Sequence, residues 1–269
     1  MDCSGTRRTR GLSAMTPNED ASHDDLWQRV LREAELVVAA DPVFGGRLTD
    51  AVLAHADLGG AVAFQIGERL GKTAAERAQF TSVAHEAFWA APALVEAAGL
   101  DLSAIAIHDP AVTVFLAPLL NFKGFVALQA FRVSHWLWTG GRSDLALLLQ
   151  SESADTLQVS THPSVRIGTS VFLDHATAIV IGAFAEIADE VTLLQNVTIG
   201  RKDTDAVRAP RIGRGAYLAA GSTMLGDITI GDFAKIGAGA LVTGDVPAGC
   251  TAVGVQARLV NCPGKRIVA

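Results

Sequence analysis

One histidine, His175, combines a residue type suited to proton transfer with a position that its surroundings do not explain. It lies in the run Leu173-Asp174-His175-Ala176-Thr177, within a series of regularly spaced residues that would otherwise place a small or aliphatic side chain there. An imidazole titrates near neutral pH and therefore suits a general base. On residue type alone, a histidine in such a turn is more often structural. The residue by itself is a candidate base and nothing more.

The residues around His175 repeat with a period of six. One series comprises Ile167, Leu173, Ile179, Ala185, Val191 and Val197, another comprises Ile181, Ile187, Leu193 and Ile199, and the period resumes at Ile212, Leu218, Met224, Ile230, Ile236 and Val242. Six residues are too few for a helical repeat but suit a short strand and a corner, and such units must stack to bury their apolar faces. Three units would close a triangular coil, with parallel coils about 4.8 Å apart. The period predicts a parallel β-solenoid.

The chain before these repeats has the periodicity of helices. Apolar residues at helical spacing, punctuated by Gly and Pro, predict helices near 24–41, 44–57, 59–71, 73–90 and 142–153. Residues 119–138 are apolar nearly all round, so a helix there must be buried in the core of the chain or against another subunit. Both interpretations stay open at this point.

The predicted fold class is therefore α+β, with an all-helical domain followed by a parallel β-helix of hexapeptide repeats. The predicted segments are a flexible tail at 1–22, the helical domain at 23–155, the β-helix domain at 156–262 and a short tail at 263–269.

Composition excludes several classes of protein. The 269 residues carry a formal net charge of −6 and no basic stripe, which argues against nucleic-acid binding. Charged residues or histidines interrupt every long apolar run, so no membrane span is predicted, and no signal-peptide core follows the N-terminal arginines. Cys3, Cys250 and Cys262 have no metal-ligand spacing and are interpreted as incidental thiols. We expect a cytoplasmic protein without a metal site.

Four runs of sequence resemble one enzyme family. They are PLLNFKGF at 118–125, ALQAFR at 127–132, HWLW at 135–138 and LDHAT at 173–177. Hexapeptide repeats alone are typical of a superfamily of acyltransferases, whereas these runs together are similar to serine O-acetyltransferase, the first enzyme of bacterial cysteine biosynthesis. The resemblance covers about residues 24–262 and implies a left-handed β-helix.

The resemblance also implies a reaction and its residues. His175 would be the general base for attack of the hydroxyl of L-serine, or of a closely related amino acid, on a CoA thioester, with acetyl-CoA as the default donor and no covalent enzyme intermediate. Asp109 and Asp174 would bind the ammonium of the acceptor, and Arg208 its carboxylate. Taken singly, these three are better explained as a helix cap or turn before Pro110, a corner residue and a solvated loop charge, and only their joint match to the family favours substrate binding. The positions matching the family's CoA groove are Gly200, Ala220, Lys235 and Ala238.

Three departures from the family pattern fall on this site. Ser160 stands where the family has the aspartate that orients the base, and Ala209 stands where it has a substrate-contacting histidine. Residues 200–205 replace a glycine-rich stretch, with one residue fewer through the loop. The departures leave two alternatives open: an acyltransferase with another acyl donor, such as a carrier protein or a larger acyl-CoA, and a non-catalytic homologue that binds a ligand or partner.

The resemblance also implies an assembly. We expect homotrimers formed along the coils, joined in pairs through the helical domains, with His175 near a subunit boundary. A complex with the next enzyme of the pathway is doubtful, because the family's polar tail ending in Ile is not matched by residues 266–269.

Overall fold

The computed structural model describes residues 23–203 and 208–254. The helices are α1 (His23–Ala40), α2 (Pro42–Leu48), α3 (Leu58–Leu70), α4 (Ala74–Ala90), α5 (Ala93–His108), α6 (Leu116–Asn121), α7 (Lys123–Thr139) and α8 (Ser143–Thr156), with a π-helical turn at Thr49–Leu53. The fold class predicted from the sequence, helices first and then a parallel β-solenoid, is confirmed.

Fourteen short strands follow α8 in the described residues. They are β1 (Val159–Thr161), β2 (Arg166–Ile167), β3 (Phe172–Leu173), β4 (Ile179–Ile181), β5 (Glu186–Ile187), β6 (Thr192–Leu193), β7 (Thr198–Gly200), β8 (Arg211–Ile212), β9 (Tyr217–Leu218), β10 (Thr223–Leu225), β11 (Thr229–Ile230), β12 (Lys235–Ile236), β13 (Leu241–Val242) and β14 (Thr251–Ala252).

The strands form three parallel sheets that are the three sides of a solenoid of about four turns. The first sheet has the order β1-β4-β7-β10-β13, the second β11-β8-β5-β2 and the third β14-β12-β9-β6-β3. Each coil therefore passes from the first sheet to the second and then to the third. Equivalent residues stack inside, as Ile187 does on Ile167 and Ile212.

The structure corrects one detail of the six-residue series. Register pairs Leu173 with Leu193 and Val180 with Thr198. Six residues (174–179) thus separate Leu173 from Val180, whereas four (194–197) separate Leu193 from Thr198. Two extra residues therefore lengthen the corner after Leu173. Because of them, the step of six from Leu173 to Ile179 does not join equivalent inward positions of neighbouring sides. That corner contains His175.

Most of the predicted helices are confirmed, with two differences. Helix α5 was not predicted, because its composition is apolar on several faces and gives no clear amphipathic stripe. The apolar segment at 119–138 is not one helix: α6 ends before Phe122, whose backbone is extended (φ −85°, ψ 103°), and α7 begins at Lys123. The break turns the start of α7 toward the solenoid, where it contacts β3.

Helix α7 is a core helix of the chain itself. Twelve of its residues are buried, from Gly124 to Leu137, and it packs on α3, α4, α5 and α8 as well as on β1 and β3. Of the two interpretations of its apolar surface, burial within the chain therefore accounts for it. The predicted domain boundary at 155 and 156 falls at the end of α8 and stays a prediction, while the predicted tails lie outside the described residues.

Candidate functional site

His175 lies in the lengthened turn between β3 and β4. His175, Ala176 and Ala178 all have positive φ, of 54°, 60° and 60°, in the left-handed region that non-glycine residues rarely adopt. The extra length lifts the imidazole out of the stack, and its side chain is 75% exposed. Its Nε2 lies 3.9 Å from Oδ1 of Asp174, and among the described residues the ring forms no hydrogen bond. The histidine is therefore accessible to a ligand and is beside a carboxylate.

The start of α7 supports this turn. A side chain at Gly124 would collide with the carbonyl oxygen of Leu173 and would come within 3.0 Å of Cβ of Ala176. Lys123 Nζ donates to Thr177 Oγ1 at 2.6 Å. Glycine is needed here because helix and turn backbones are in direct contact. Neither residue was predicted as part of the site, although both lie in the run 118–125 that carries the family resemblance.

A buried ion pair fastens the helices to the first coil, next to the same turn. Asp101 of α5 accepts hydrogen bonds from Arg132 of α7 at 2.8–3.0 Å, and also from the backbone N–H of Val171 at 3.0 Å. Arg132 in turn donates to the carbonyl of Gly168 at 2.7 Å. Both charges are almost fully buried, Gln129 Nε2 also donates to Asp101 at 2.9 Å, and the bonds to Val171 and Gly168 reach the solenoid backbone on the approach to β3. The pair therefore sets the position of β3, and through it that of the His175 turn.

Ser160 occupies the middle of β1, on the outer face of the first sheet. Its register partner is Val180 of β4, and its hydroxyl accepts a hydrogen bond from Nε2 of Gln150 in α8 at 3.3 Å. No hydrogen bond joins Ser160 to His175 within the described part of the chain. The Ser160 hydroxyl is thus hydrogen-bonded to a side chain of α8 and places no charge near the imidazole.

Asp109 follows the last residue of α5, and its carboxylate has a local partner. Oδ1 accepts from the backbone N–H of Ala111 at 2.8 Å, which closes the turn around Pro110. The structural explanation given for Asp109 is thus observed. Asp109 is half-buried, and the helix that it follows, α5, contacts β3.

Arg208 and Ala209 lie at a different corner, where the first sheet passes into the second. Arg208 donates to Asp227 at 3.1 Å, and Arg211 donates to the other oxygen of the same carboxylate at 3.0 Å. Hydrogen bonding from Arg208 lowers the pKa of Asp227, with Arg211 adding to the effect. The Arg208 side chain is 72% exposed, whereas Ala209 is buried. The guanidinium is thus oriented yet open to an incoming carboxylate.

An open cavity of about 380 Å³ adjoins Arg208. Its lining includes Arg166, Phe184, Glu186, Arg208, Ala209 and Arg211. His162 lies at the same corner, where its Nδ1 accepts a hydrogen bond from the Ser164 backbone N–H at 3.1 Å and lies 2.8 Å from the Ser164 hydroxyl oxygen. Burial, and then the charge of Arg201, lowers the pKa of His162. Both effects favour the neutral form of the imidazole. The pattern of spacing gave no sign of this histidine, because it fills an ordinary corner.

The positions expected to line a CoA groove fall into two places. Ala220 and Ala238 stack above the His175 turn in one corner column, which we call the His175 corner and which comprises the turns 174–178, 194–197, 219–222 and 237–240. The column is held by backbone hydrogen bonds from turn to turn, including Gly239 N–H to Ala220 O at 2.9 Å. Lys235 is exposed on β12 just before this corner. Gly200 instead ends β7, at the corner where Arg208 lies.

The predicted residues therefore form two groups in one chain. His175, Asp174, Ala220 and Ala238 lie at the His175 corner, with Lys235 just before it. Arg208, Ala209 and Gly200 lie across the first sheet, whose three-residue strands span about 10 Å. A single chain does not bring the candidate base and the candidate carboxylate-binding arginine to one corner.

Some other features bear on what the site can hold. Among residues 23–203 and 208–254, no group of three or more His, Cys, Asp or Glu side chains is placed to bind a metal ion. Cys250 is an exposed free thiol, and Cys3 and Cys262 lie outside the described residues.

No single helix in the described ranges is long and apolar enough to cross a membrane, and α4 with α5 meets that test only as a pair bent by 104°.

Comparisons with known proteins agree with this architecture. A family model described as serine acetyltransferase, N-terminal, matches residues 26–130. A serine acetyltransferase of Salmonella typhimurium is 40% identical over 240 residues, which are 89% of this chain and 88% of that protein. A solved serine acetyltransferase in complex with CoA has a TM-score of 0.84 at 36% identity, covering 89% of this chain and 100% of the other.

A second solved structure, the Neisseria gonorrhoeae serine acetyltransferase in complex with serine, has a TM-score of 0.83 at 36% identity, covering 87% of this chain and 97% of the other. The similarity extends through both the helices and the solenoid. This chain belongs to the serine acetyltransferase family.

Proposed function

We propose that this enzyme transfers the acetyl group of acetyl-CoA to the hydroxyl of L-serine. Relatives over nearly the full length of the chain are serine acetyltransferases, and solved members carry CoA or serine. The observation that carries the proposal for the site is the turn at His175. Two extra residues raise one accessible imidazole, next to Asp174, at the foot of a column of small residues.

Each group has a defined task in this proposal. His175 removes the proton of the serine hydroxyl as its oxygen attacks the thioester carbonyl, so no covalent enzyme intermediate is needed. Asp109 and Asp174 face the ammonium, and Arg208 pairs with the carboxylate. The small residues Ala220 and Ala238 leave room for the pantetheine arm along the His175 corner, and the Lys235 ammonium suits a phosphate of CoA.

The two groups of residues lead us to propose that the site forms between subunits. In one chain the first sheet separates His175 from Arg208. A neighbouring copy that placed its Arg208 corner against the His175 corner would complete the acceptor site. This agrees with the expectation of trimers joined in pairs, which stays a prediction, as do the cytoplasmic location and the doubtful complex with the next enzyme.

The test is release of free thiol from acetyl-CoA by purified protein with L-serine. We expect serine-dependent release in the wild-type protein and a loss of at least about 100-fold in His175→Ala, since removal of a general base costs about 10²–10⁴. Circular dichroism and size-exclusion profiles serve as controls for folding of the variant.

Folded wild-type protein without serine-dependent release would contradict the proposal. The same preparation would then be assayed with longer acyl-CoA and acylated carrier protein as donors. Release with those alone would favour the other acyl donor, and inactivity with all of them would favour a non-catalytic homologue.

A further inference from the structure

Gln195 adjoins the His175 turn in the next coil. The Asn196 N–H donates to the carbonyl of Thr177 at 2.8 Å, and the Gly221 N–H donates to the carbonyl of Gln195 at 2.9 Å. Phe172 pairs with Thr192 and Leu173 with Leu193, and the Asp174 N–H donates to the carbonyl of Leu193 at 2.8 Å, so the turn 174–177, which contains His175, runs beside 194–196 of the next coil. Adjacent coils are about 4.8 Å apart. The imidazole and the carboxamide therefore start from neighbouring places in the His175 corner.

The Gln195 side chain is in an unusual state. Its Oε1 is buried and has no hydrogen-bond partner, while its Nε2 is not among the buried atoms and forms no hydrogen bond to the described residues. The opposite orientation of the amide would bury two unpaired N–H donors, and orphaned buried N–H groups are rarer than under-satisfied carbonyls. The amide therefore presents its N–H groups to the outside of the corner.

The direct transfer described above creates one demand that His175 cannot meet. As the serine oxygen attacks, the thioester carbonyl oxygen gains a negative charge, which needs a pre-placed donor. We propose that Nε2 of Gln195 donates a hydrogen bond to this oxyanion and is a catalytic residue of the reaction. The inference rests on the proposed function, because it takes the acyl group to lie beside His175.

The step is balanced with these two groups. The serine oxygen bonds to the carbonyl carbon and its proton passes to His175, while the carbonyl π pair moves to oxygen and is held by Gln195. The pair then returns, the carbon–sulfur bond breaks, and the leaving thiolate takes the proton from the imidazolium. Neither side chain is consumed.

Other residues of the corner are less suited to this task. Ala220 and Ala238 have no side-chain donor. Ser222 also has an unpartnered buried oxygen, but its side chain is wholly buried and faces the interior of the solenoid. Asn196 is explained by its positive φ of 61°, a conformation that asparagine tolerates.

The first test compares the kinetics of Gln195→Met with those of the wild-type enzyme. Methionine has a similar length and no donor. We expect kcat to fall about 10²–10³-fold, as for loss of one oxyanion donor, with the KM values for serine and acetyl-CoA within about threefold. Ser222→Ala, at the same corner, is the matched control and should keep kcat. If Gln195→Met does not fold, Gln195→Glu keeps the size, and its carboxylate should oppose the oxyanion and lower kcat at least as far.

A second test does not depend on turnover. The probes are CoA and acetyl-carba(dethia)-CoA, a ketone that keeps the acyl carbonyl but cannot release a thiol. Gln195→Met should weaken binding of the ketone by about 3- to 10-fold, as one hydrogen bond is lost, and should leave binding of CoA unchanged.

The outcomes separate this inference from the proposed function. If Gln195→Met weakens binding of the ketone but not of CoA, while the wild-type protein does not acetylate serine, then the acceptor assignment is wrong and the Gln195 contact is supported. An unchanged kcat, an equal loss of affinity for both probes, or binding of neither probe by the wild-type protein would each overturn the role of Gln195.

Discussion

At the scale of single residues, Ser160 bears on how the candidate base His175 would be supported. The family resemblance places at this position a carboxylate that orients the catalytic histidine, whereas here Gln150 holds a neutral hydroxyl. Loss of the aspartate from a comparable His–Asp pair, in the serine-protease example, lowers kcat by about 10⁴. The chain is therefore expected to work with a weakened base.

Restoring the carboxylate should raise the rate. We predict that Ser160→Asp increases kcat for serine acetylation by at least about tenfold, because an adjacent negative charge stabilises the imidazolium. The assay is thiol release at saturating serine and acetyl-CoA. Ser160→Asn supplies the same shape without the charge. Equal rates for the aspartate and asparagine variants would show that another group already supports His175.

A second residue predicts a dependence of stability on pH. Glu33 of α1 accepts a hydrogen bond from the Leu116 N–H at 2.8 Å, and burial, only partly offset by that bond and by Arg29, raises the pKa of this carboxyl above its ordinary value. A carboxyl with a raised pKa in the folded state stabilises the fold most at low pH. That contribution is lost as the pH rises through the folded-state pKa.

Glu33→Gln should therefore be at least as stable as the wild-type protein at pH 7, because the amide keeps the acceptor without the buried charge. The advantage should shrink as the pH falls toward 4.5, where the wild-type carboxyl becomes protonated. Urea unfolding at pH 4.5, 6 and 7.5 measures it. An advantage that grew at low pH would contradict the sign of the pKa shift.

At the scale of elements, the start of α7 acts as a support for the His175 turn. Gly124 allows the helix backbone to touch the Leu173 carbonyl, and the buried pair of Asp101 and Arg132 holds the coil from the other side. Removing one member of a buried pair typically costs about 3–5 kcal/mol. The helical region therefore has a direct part in placing the candidate base.

Gly124→Ala tests this support. We predict a loss of about 1–3 kcal/mol in the free energy of unfolding, the usual cost of overpacking, together with a lower kcat because the turn must shift. Gly46→Ala in α2 is the matched control: its added methyl meets no atom within 4 Å and should stabilise by about 0.5–1 kcal/mol. Full activity in Gly124→Ala would mean that the turn does not depend on α7.

At the scale of the whole molecule, the separation of His175 from Arg208 predicts a shared site. In a closed ring of three copies, one surface of each copy contacts a different surface of the next, so residues from two corners can meet at every interface. The first sheet lies between the two corners in the chain itself. Two inactive variants with damage at different corners should therefore complement each other.

We predict that His175→Ala and Arg208→Ala are each nearly inactive. A one-to-one mixture, refolded or co-expressed together, should regain about a quarter of wild-type activity, because about a quarter of its sites combine an intact His175 from one chain with an intact Arg208 from another. Light scattering reports the oligomer. His175→Ala mixed with a His175→Ala, Arg208→Ala double variant is the control. A mixture no more active than its components would place the site within one chain.

Much of the fold is a direct consequence of the sequence. A six-residue period with glycine or small residues at corners requires stacked coils, and helical spacing before it requires helices, because each pattern can bury its apolar face in only one way. His175 and Asp174 stand out in the same pattern, and the runs around α7 carry the family resemblance. These properties are local in the sequence and can be recognised without knowing how the chain packs.

Other properties depend on contacts between distant parts of the chain. The sequence alone did not reveal that two extra residues raise His175 from the stack, since the series of six continues through Ile179 by coincidence of apolar residues. It did not reveal that Gly124 lies against Leu173, or that Gln195, with an unpaired buried carboxamide oxygen, lies in the coil next to the His175 turn. Each depends on register and on close approach between segments, and only the tertiary structure decides which side chains are left accessible, buried or unpaired.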